Sequence, residues 1–308
     1  NIMMKKMRIV AGLLSLLVVI SACSKESESY AFEKVENSKF EHLHGLGYIN
    51  GGPKIVISTH DGLYEYDEEG WKEANSEKHD YMGFQAIREG FFSSGHPEPG
   101  SDYKNPLGLV KSTDRGASFE QLAFYGEIDF HYLAAGYDSN AIYVLNEMPT
   151  EEMTGGLHYT LDEGATWSEA SMNEFNSEFI SNLAAHPSQK EMIAIGSKDG
   201  IFHSSDYGEN FALFNDAKMV LAVTLTENGG YYSSYENETV QLQSFSFGND
   251  QEMSIQLPDE KMSPIVFIAV NPEDEKEIVI ATYNNDIFLT MDEGANWNTL
   301  AENSELME

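Results

Sequence analysis

Apolar and polar residues alternate along short stretches of this chain, which is the pattern of half-buried β-strands. Residues 54–58 and 277–281 show the alternation most clearly, and comparable stretches follow at short intervals from Phe40 onward. Turn-forming residues separate the stretches, and no amphipathic helix of useful length competes with them. Grouping the stretches predicts six units of four strands, at about residues 40–76, 79–124, 128–170, 178–214, 217–257 and 263–300.

A turn of the form S/T-x-D-x-G-x-x-W/F recurs four times and sets the register of these units. Its Asp and Gly positions are Asp114 and Gly116, Asp162 and Gly164, Asp206 and Gly208, and Asp292 and Gly294. The Asp side chain can accept hydrogen bonds from N–H groups of its own turn, and the Gly supplies a positive φ. The aromatic residue then starts the next strand and packs inward.

The spacing of the turns predicts the fold. The four aspartates are separated by 48, 44 and 86 residues, and the last interval is about twice the others. A period of roughly 40–50 residues is typical of a propeller, and the long interval predicts one unit without the turn. We therefore expect an all-β protein, a β-propeller of four-stranded antiparallel blades. Six blades are predicted, with seven as the alternative if residues 28–38 add strands.

Net charge excludes several classes of partner. The 308 residues include 51 acidic and 18 basic ones, so the formal net charge is −33. Such a chain repels nucleic acid and disfavours electrostatic docking on anionic lipid. It attracts cations, although a solubilising shell of charge explains the composition equally well.

The N-terminal residues are typical of a secretion signal. Basic residues at Lys5, Lys6 and Arg8 precede an apolar run over 9–20 that is too short for a stable membrane span. Residues 20–23 resemble a bacterial lipobox, which implies cleavage before Cys23 and lipidation of its thiol. A buried structural thiol is the alternative. Because the chain contains no second cysteine, no internal disulfide is expected. The predicted organisation is a lipoprotein signal peptide over 1–22, a lipidated Cys and polar tether over 23–38, one propeller domain over 39–303 and a tail over 304–308.

Aligning the units places several histidines together. His44, Asp80 and His131 fall on innermost strands, while His60 and His96 end second strands. Strand alternation directs the first three toward the central channel. The other two are expected at the edge of the channel opening on the same side, which we call the mouth. Long loops over 96–106 and 146–155 join second to third strands and open on that mouth. Function usually lies on long loops of a rigid scaffold.

These side chains suit a transition metal, either copper or zinc, since imidazole is the commonest ligand and carboxylate can complete the shell. The candidate ligands are His44, His60, Asp80, His96 and His131, with His42, His79, Met82, Met148 and Met153 as secondary candidates. A thioether ligand would favour Cu(I). The alternative is that each histidine only bonds a loop carbonyl or bridges two blades, and for the cluster both interpretations stay open. His158, His186 and His203 lie at ordinary blade positions and are expected to be structural.

Segments 42–47, 59–63, 79–84, 94–97 and 106–109, together with the turns, resemble a family of bacterial propeller lipoproteins. The turns resemble the Asp boxes of BNR and sortilin-like propellers, and members of the family are labelled glycosyl-hydrolase-like. The resemblance implies a lipid-anchored propeller at the outer face of the cell membrane of a Gram-positive bacterium. The hydrolase label rests on fold-level analogy with sialidases. Sialidases hold a carboxylate with three arginines, whereas only Arg88 and Arg115 follow residue 22, so that triad cannot be built.

The favoured interpretation is a non-enzymatic, extracytoplasmic, membrane-anchored binding module that holds an unidentified ligand or protein partner through a metal at the mouth. The alternative is a glycosidase-like hydrolase with two carboxylates, such as Asp61 and Asp80, flanking the scissile bond. Tyr81, Tyr103 and Tyr132 would then be candidates for stacking on sugar. A third interpretation is a passive scaffold, which only the fold itself supports.

Overall fold

The protein is built from β-strands throughout the part of the chain that is described. The computed structural model describes residues 29–36, 38–217, 219–248 and 251–307. The predicted signal peptide, Cys23 and the first part of the predicted tether lie outside these ranges. Within them, no helix has the length and apolar character needed to cross a membrane.

Six antiparallel sheets form the blades of a propeller. Blade 1 contains β1 (Phe32–Lys34), β2 (Leu43–Tyr48), β3 (Ile55–Thr59), β4 (Gly62–Asp67) and β5 (Gly70–Ala74). Blade 2 contains β6 (Asp80–Ile87), β7 (Gly90–His96), β8 (Leu109–Ser112) and β9 (Glu120–Ala123), and blade 3 contains β10 (Tyr132–Ala135), β11 (Ile142–Asn146), β12 (Gly156–Thr160) and β13 (Ser168–Glu169).

The other three blades follow in chain order. Blade 4 contains β14 (Ile180–Ala185), β15 (Ile193–Ser197), β16 (Gly200–Ser204) and β17 (Ala212–Asn215). Blade 5 contains β18 (Val220–Thr226), β19 (Gly229–Glu236), β20 (Thr239–Ser246) and β21 (Glu252–Ser254), and blade 6 contains β22 (Ile265–Asn271), β23 (Asp274–Thr282), β24 (Ile287–Thr290), β25 (Asn298–Glu302) and β26 (Glu305–Leu306).

The predicted all-β propeller with six blades is confirmed. Blades 1 and 5 lack the recurrent turn, and blade 5 is the unit that the long interval predicts. Two short strands differ from the expectation. β1 pairs with β5 at the outer edge of blade 1, and β26 pairs with β25 at the outer edge of blade 6. Part of the expected tether and part of the expected tail are therefore edge strands, and residues 32–34 widen blade 1 instead of starting a seventh blade.

Blades 6 and 1 close the ring through side-chain packing and a few backbone bonds. Phe40, Leu43 and Trp71 of blade 1 form one buried cluster with Val279 and Leu300 of blade 6. The indole Nε1–H of Trp71 donates to the carbonyl oxygen of Leu300 at 2.8 Å. This junction joins elements from the two ends of the domain, so it depends on apolar burial instead of on chain connectivity.

The four recurrent turns share one hydrogen-bond arrangement. In the turn at Asp162, one carboxylate oxygen accepts the N–H of Thr166 at 2.8 Å, and the other accepts its hydroxyl at 2.6 Å. The hydroxyl of Thr160 accepts the N–H of Gly164 at 2.9 Å. Glu163 and Gly164 have φ values of 55° and 91°, so the chain takes two left-handed residues in succession. Equivalent bonds at Asp114, Asp206 and Asp292 make these turns rigid connections between third and fourth strands.

These turns predict a loss of stability in acid. Hydrogen bonds from Asn210, first from its side chain and then from its backbone, hold the pKa of Asp206 below its usual value. A carboxyl whose pKa is depressed by folding stabilises the protein above its unfolded pKa of about 3.9, and this contribution is lost as pH falls through the folded pKa. We expect Asp206→Ala to lower the thermal midpoint at pH 7 and to lower it less at pH 2.5, measured by circular dichroism. Asp216→Ala, at an exposed position nearby, is the control, and equal behaviour of the two variants would contradict this role of the turn.

The first strands of the blades surround a central channel of about 650 Å³. Strands β2 and β6 approach closely because β2 carries glycines. A Cβ placed on Gly47 would lie 2.6 Å from the Cβ of Ala86, and one on Gly45 would lie 2.9 Å from the Cβ of Phe84. The glycines on either side of Leu46 therefore let the two strands that carry His44 and Asp80 lie side by side.

Candidate functional site

One end of the channel gathers the candidate residues, and we call it the mouth. It is the end at which first strands begin and second strands finish. Leu43 pairs with Thr59 at this end of blade 1, and Asp80 pairs with His96 at this end of blade 2. His131 immediately precedes β10 instead of lying within it. The structure thus brings His44, His60, Asp80, His96 and His131 to a single end of the ring.

Three of these residues form a compact group, the blade 1–2 cluster of His44, His60 and Asp80. His60 Nδ1 lies 2.8 Å from Asp80 Oδ2, and His44 Nε2 lies 3.2 Å from Asp80 Oδ1. The two ring nitrogens are 3.4 Å apart. These three residues lie close enough together to hold one ion, because one ligand atom of each lies within 4.8 Å of the other two. In the described part of the chain, no other set of His, Cys, Asp or Glu residues meets this criterion.

The spacing of these donors fits a tetrahedral metal ion. Zinc binds imidazole nitrogen and carboxylate oxygen at about 2.0–2.2 Å, which separates neighbouring donors by about 3.3 Å. The 3.4 Å between the two imidazole nitrogens matches this value. The carboxylate contacts His44 through Oδ1 at 3.2 Å and His60 through Oδ2 at 2.8 Å, so it must rotate to bring one oxygen to the ion. Three protein ligands leave at least one position of a four-coordinate ion open to a further donor.

His44 and Asp80 are the two largely buried members of this cluster, with side chains 14% and 17% exposed. Desolvation lowers the pKa of His44, and the nearby carboxylate of Asp80 opposes this effect. The neutral form of His44, which is the form that binds metals, is therefore favoured near neutral pH. Asp80 Oδ1 is buried and receives no hydrogen bond of acceptable geometry from any described residue, although His44 Nε2 lies 3.2 Å away.

The other two candidates lie beside a carboxylate that the sequence did not single out, in what we call the blade 2–3 cluster of His96, Asp129 and His131. Asp129 Oδ2 lies 2.9 Å from His131 Nε2 and 3.3 Å from His96 Nε2. Glu147 Oε2 lies 3.7 Å from His131 Nδ1. The position of Asp129 two residues before His131, at the entry to a first strand, is the sequence signal that could have identified it.

Three of the secondary candidates, His42, Met82 and His79, lie in different surroundings. The rings of His42 and His60 meet edge-on with centroids 5.4 Å apart, and Met82 lines the channel. His79 is buried, and its ring nitrogens contact residues outside the two histidine clusters. Its Nδ1 accepts the N–H of Glu98 at 2.9 Å, and its Nε2 lies 3.0 Å from Glu77 Oε2. These contacts give His79 the surroundings of a structural residue that anchors the long loop of blade 2.

The two remaining methionines lie in opposite surroundings. Met148 is 78% exposed at the tip of the blade 3 loop, whereas Met153 is 4% exposed and packs in a core cluster with Ile128 and Phe130. The structure therefore does not bring the Met153 side chain to the histidine clusters.

No protein-family model matches the chain, and no curated protein matches it in sequence. Solved structures do resemble it. A GH74 xyloglucanase from Xanthomonas campestris superposes with a TM-score of 0.55 at 14% identity, covering 88% of this chain and 47% of that one. An ancestral GH74 enzyme gives 0.53 at 12% identity, covering 88% of this chain and 40% of that one. YCF48 from Cyanidioschyzon merolae gives 0.49 at 11% identity and covers 90% of each chain.

The likenesses to the two GH74 enzymes bear on the fold alone, because the identities are low. The chain spans less than half the length of the two GH74 enzymes that it matches. The architecture is shared, and the resemblance to bacterial lipoprotein propellers stays a prediction.

Proposed function

We propose that this protein is an extracytoplasmic, membrane-anchored binding propeller that holds a transition-metal ion at the mouth of its channel and binds a ligand or partner there. The observation that carries the proposal is the convergence of His44, His60 and Asp80, whose donor atoms are separated by 2.8–3.4 Å. Two imidazoles and one carboxylate form a donor set that zinc and Cu(II) accept readily.

The open coordination position is what makes such a centre a binding site. His44, Met82 and His131 line the channel, so an ion on the blade 1–2 cluster would lie at the channel opening. A carboxylate, imidazole or other donor group of an incoming ligand would complete its coordination. The thioether of Met82 is the feature that would favour Cu(I) over zinc.

The location follows from the N-terminal residues. The basic segment, the apolar run and the lipobox-like residues ending at Cys23 support secretion and lipid anchoring. The net charge of −33 is consistent with a domain that stands off an anionic lipid surface instead of lying on it.

The placement of carboxylates supports binding over glycoside hydrolysis. The carboxylates that line the channel are Asp138, Glu227 and Glu275. Asp138 and Glu227 lie between a first and a second strand, and Glu275 lies at the start of the second strand β23, so all three are at the end of the channel away from the histidines. At the mouth, Asp80 and Asp129 are each engaged by two imidazoles, whereas a glycosidase needs two carboxylates facing the sugar bond.

Metal analysis of the untagged protein tests the proposal. We expect the protein dialysed against Zn²⁺ or Cu²⁺ to retain an ion at the blade 1–2 cluster, and His60→Ala and Asp80→Asn each to weaken its binding at least about 10-fold through loss of a direct ligand.

Blade 4 supplies a matched control. Thr59 and Ser197 make the same turn, with hydroxyl bonds to Gly62 and Gly200 of 3.0 and 2.8 Å, and Lys198 takes the place of His60. Lys198→Ala is expected to bind metal like the unmodified protein. Equal metal content in His60→Ala, Asp80→Asn and Lys198→Ala would overturn this assignment.

A further inference from the structure

We propose that the central channel binds a small organic cation, a molecule with an apolar body and one positively charged amino group. The body lies against the apolar wall of the channel, and the amino group lies beside carboxylates at the end opposite the mouth, which we call the base. This inference rests on the proposed function, since it names the chemical class of ligand that the binding propeller takes, but it requires no metal ion.

The channel has the dimensions of a small-molecule site. Its volume of about 650 Å³ falls within the range of about 300–1,000 Å³ that such sites occupy. All six residues of β2 line it, and six strand residues correspond to a length of about 17 Å. An elongated organic molecule therefore fits the space, whereas a single ion would leave most of it empty.

Blade 6 gives the channel an apolar wall. Residues 266–270 of β22, with the sequence Val-Phe-Ile-Ala-Val, all line the channel, and all five are partly exposed. In β2, the corresponding strand of blade 1, only His44 and Leu46 are partly exposed. Five successive apolar residues thus leave part of their surface open to the channel. Covering this surface with an apolar body is favourable because it removes apolar area from water.

Two exposed aromatic residues extend this wall to the mouth. Phe179 immediately precedes β14 and Tyr283 immediately follows β23, so both lie at the mouth end of their blades. They are 46% and 76% exposed, and both line the channel. Tyr283 takes in blade 6 the position directly after the second strand that His60 takes in blade 1. The mouth therefore has an imidazole side and an aromatic side, and the aromatic side suits the apolar body of a ligand.

The charges along the channel favour a cation. The described residues that line it include no lysine or arginine, whereas Asp138, Glu227 and Glu275 lie at its base. Asp138 is paired with Arg88. Glu227 and Glu275 are exposed, and neither is paired with a lysine or arginine in the described ranges. Two carboxylates at the base are thus left without a cationic partner.

This charge pattern separates ligands that share one apolar body. An amino group with the usual pKa of about 10.4 is positively charged at pH 7, so carboxylates attract it and accept its hydrogen bonds. A carboxylate at the same place on the ligand would be repelled by the base, and an alcohol would gain neither effect. The expected order of affinity is amine, then alcohol, then carboxylate.

Calorimetric titration of the full untagged chain, treated with a chelator to remove metal, tests the proposal. The probes are 4-phenylbutylamine, 4-phenylbutanol and 4-phenylbutyrate, which differ mainly in the charge of one end. At pH 7 we expect the amine to bind tightest and the carboxylate weakest. Glu227→Gln/Glu275→Gln should weaken binding of the amine about 5-fold, the scale expected for two partly exposed charge pairs, and should leave binding of the alcohol unchanged.

Three further variants locate the site. Val266→Trp places a large side chain in the channel and should weaken all three probes at least about 10-fold, with circular dichroism confirming the fold. Tyr283→Ala, at a 76% exposed position, should weaken the amine and the alcohol equally and serves if Val266→Trp does not fold. Glu120→Gln/Glu302→Gln removes two exposed carboxylates from the edge strands β9 and β25, and it should bind the amine like the unmodified protein.

The outcomes are distinguishable from those for the metal. Equal affinity for the three probes, no saturable binding of any of them, or equal weakening in Glu227→Gln/Glu275→Gln and Glu120→Gln/Glu302→Gln would overturn the cation site. A protein that retains zinc but does not bind the amine would keep the metal assignment and lose this one. A protein that binds the amine with the expected preferences but retains no zinc would do the reverse.

Discussion

Replacing Trp71 with alanine is expected to destabilise the protein by about 3–5 kcal/mol, the usual cost of removing a large aromatic side chain from a core. Trp71 is 2% exposed and packs against Tyr66 and the blade 6 residue Leu300. The substitution also removes the indole hydrogen bond to the Leu300 carbonyl at 2.8 Å, which leaves that oxygen with the N–H of Met307 at 2.9 Å as its remaining donor. Since domains are stable by about 5–15 kcal/mol in total, the loss is a large fraction of the stability.

The position of Trp71 explains why the effect should spread through the whole ring. Its side chain bridges the junction between the first and last blades, where no covalent connection holds the propeller closed. Chemical denaturation measures the change in the free energy of unfolding. It is followed by the circular dichroism of the backbone, because the substitution removes a tryptophan and alters fluorescence. Trp71→Phe, which keeps most of the apolar area but loses the N–H, should fall between the alanine variant and the unmodified protein. Met253→Ala, at a 65% exposed site, is the control, and equal stability of Trp71→Ala and Met253→Ala would show that the junction does not limit stability.

The fold was accessible from the sequence because its signals are local. The turn around Asp162 needs only residues within a few positions of one another, and its recurrence at a regular interval reveals the blades. The edge strands β1 and β26 were not predicted, since Phe32–Lys34 and Glu305–Leu306 are too short and polar to show alternation. Their pairing is determined by partners elsewhere in the fold, which no local pattern contains.

The candidate site was only partly accessible for a related reason. Alignment of equivalent blade positions predicts that His44, His60 and Asp80 lie at one mouth. A repeat makes this possible because residues at the same place in different units occupy equivalent places in the fold. The carboxylate of Asp129 could not be selected in advance, since the chain has 51 acidic residues and most lie on the surface. The inward packing of Met153 and the burial of His79 are equally invisible in the sequence, because a loop residue carries no periodicity that tells which side faces the core.

The affinity for zinc is expected to fall on the order of 10²-fold between pH 7.5 and pH 5.0. Metal ligation requires neutral imidazole, and an ordinary histidine becomes protonated below about pH 6.5, so each histidine ligand makes binding weaker as pH falls. Burial lowers the pKa of His44. Protonation of this residue, and the loss of zinc affinity that it causes, therefore begins at a lower pH than for an ordinary histidine. The pH profile should therefore be less steep than two ordinary histidines would give, and Asp80→Asn should weaken binding across the whole range because a direct ligand is lost.

This pH window separates the histidine site from loose binding to an acidic surface. Carboxyl groups have usual pKa values near 4, so ions held only by aspartates and glutamates would bind almost equally at pH 5.0 and 7.5. The turn carboxylates, such as Asp162, have their pKa values lowered by hydrogen bonds from Thr166, so they stay ionised and keep their turn bonds throughout the window. Dialysis at constant ionic strength, with circular dichroism at each pH to confirm folding, measures the profile. An affinity that does not change between pH 5.0 and 7.5 would show that imidazoles do not hold the ion, because no other ligand type present at the mouth changes its charge in that range.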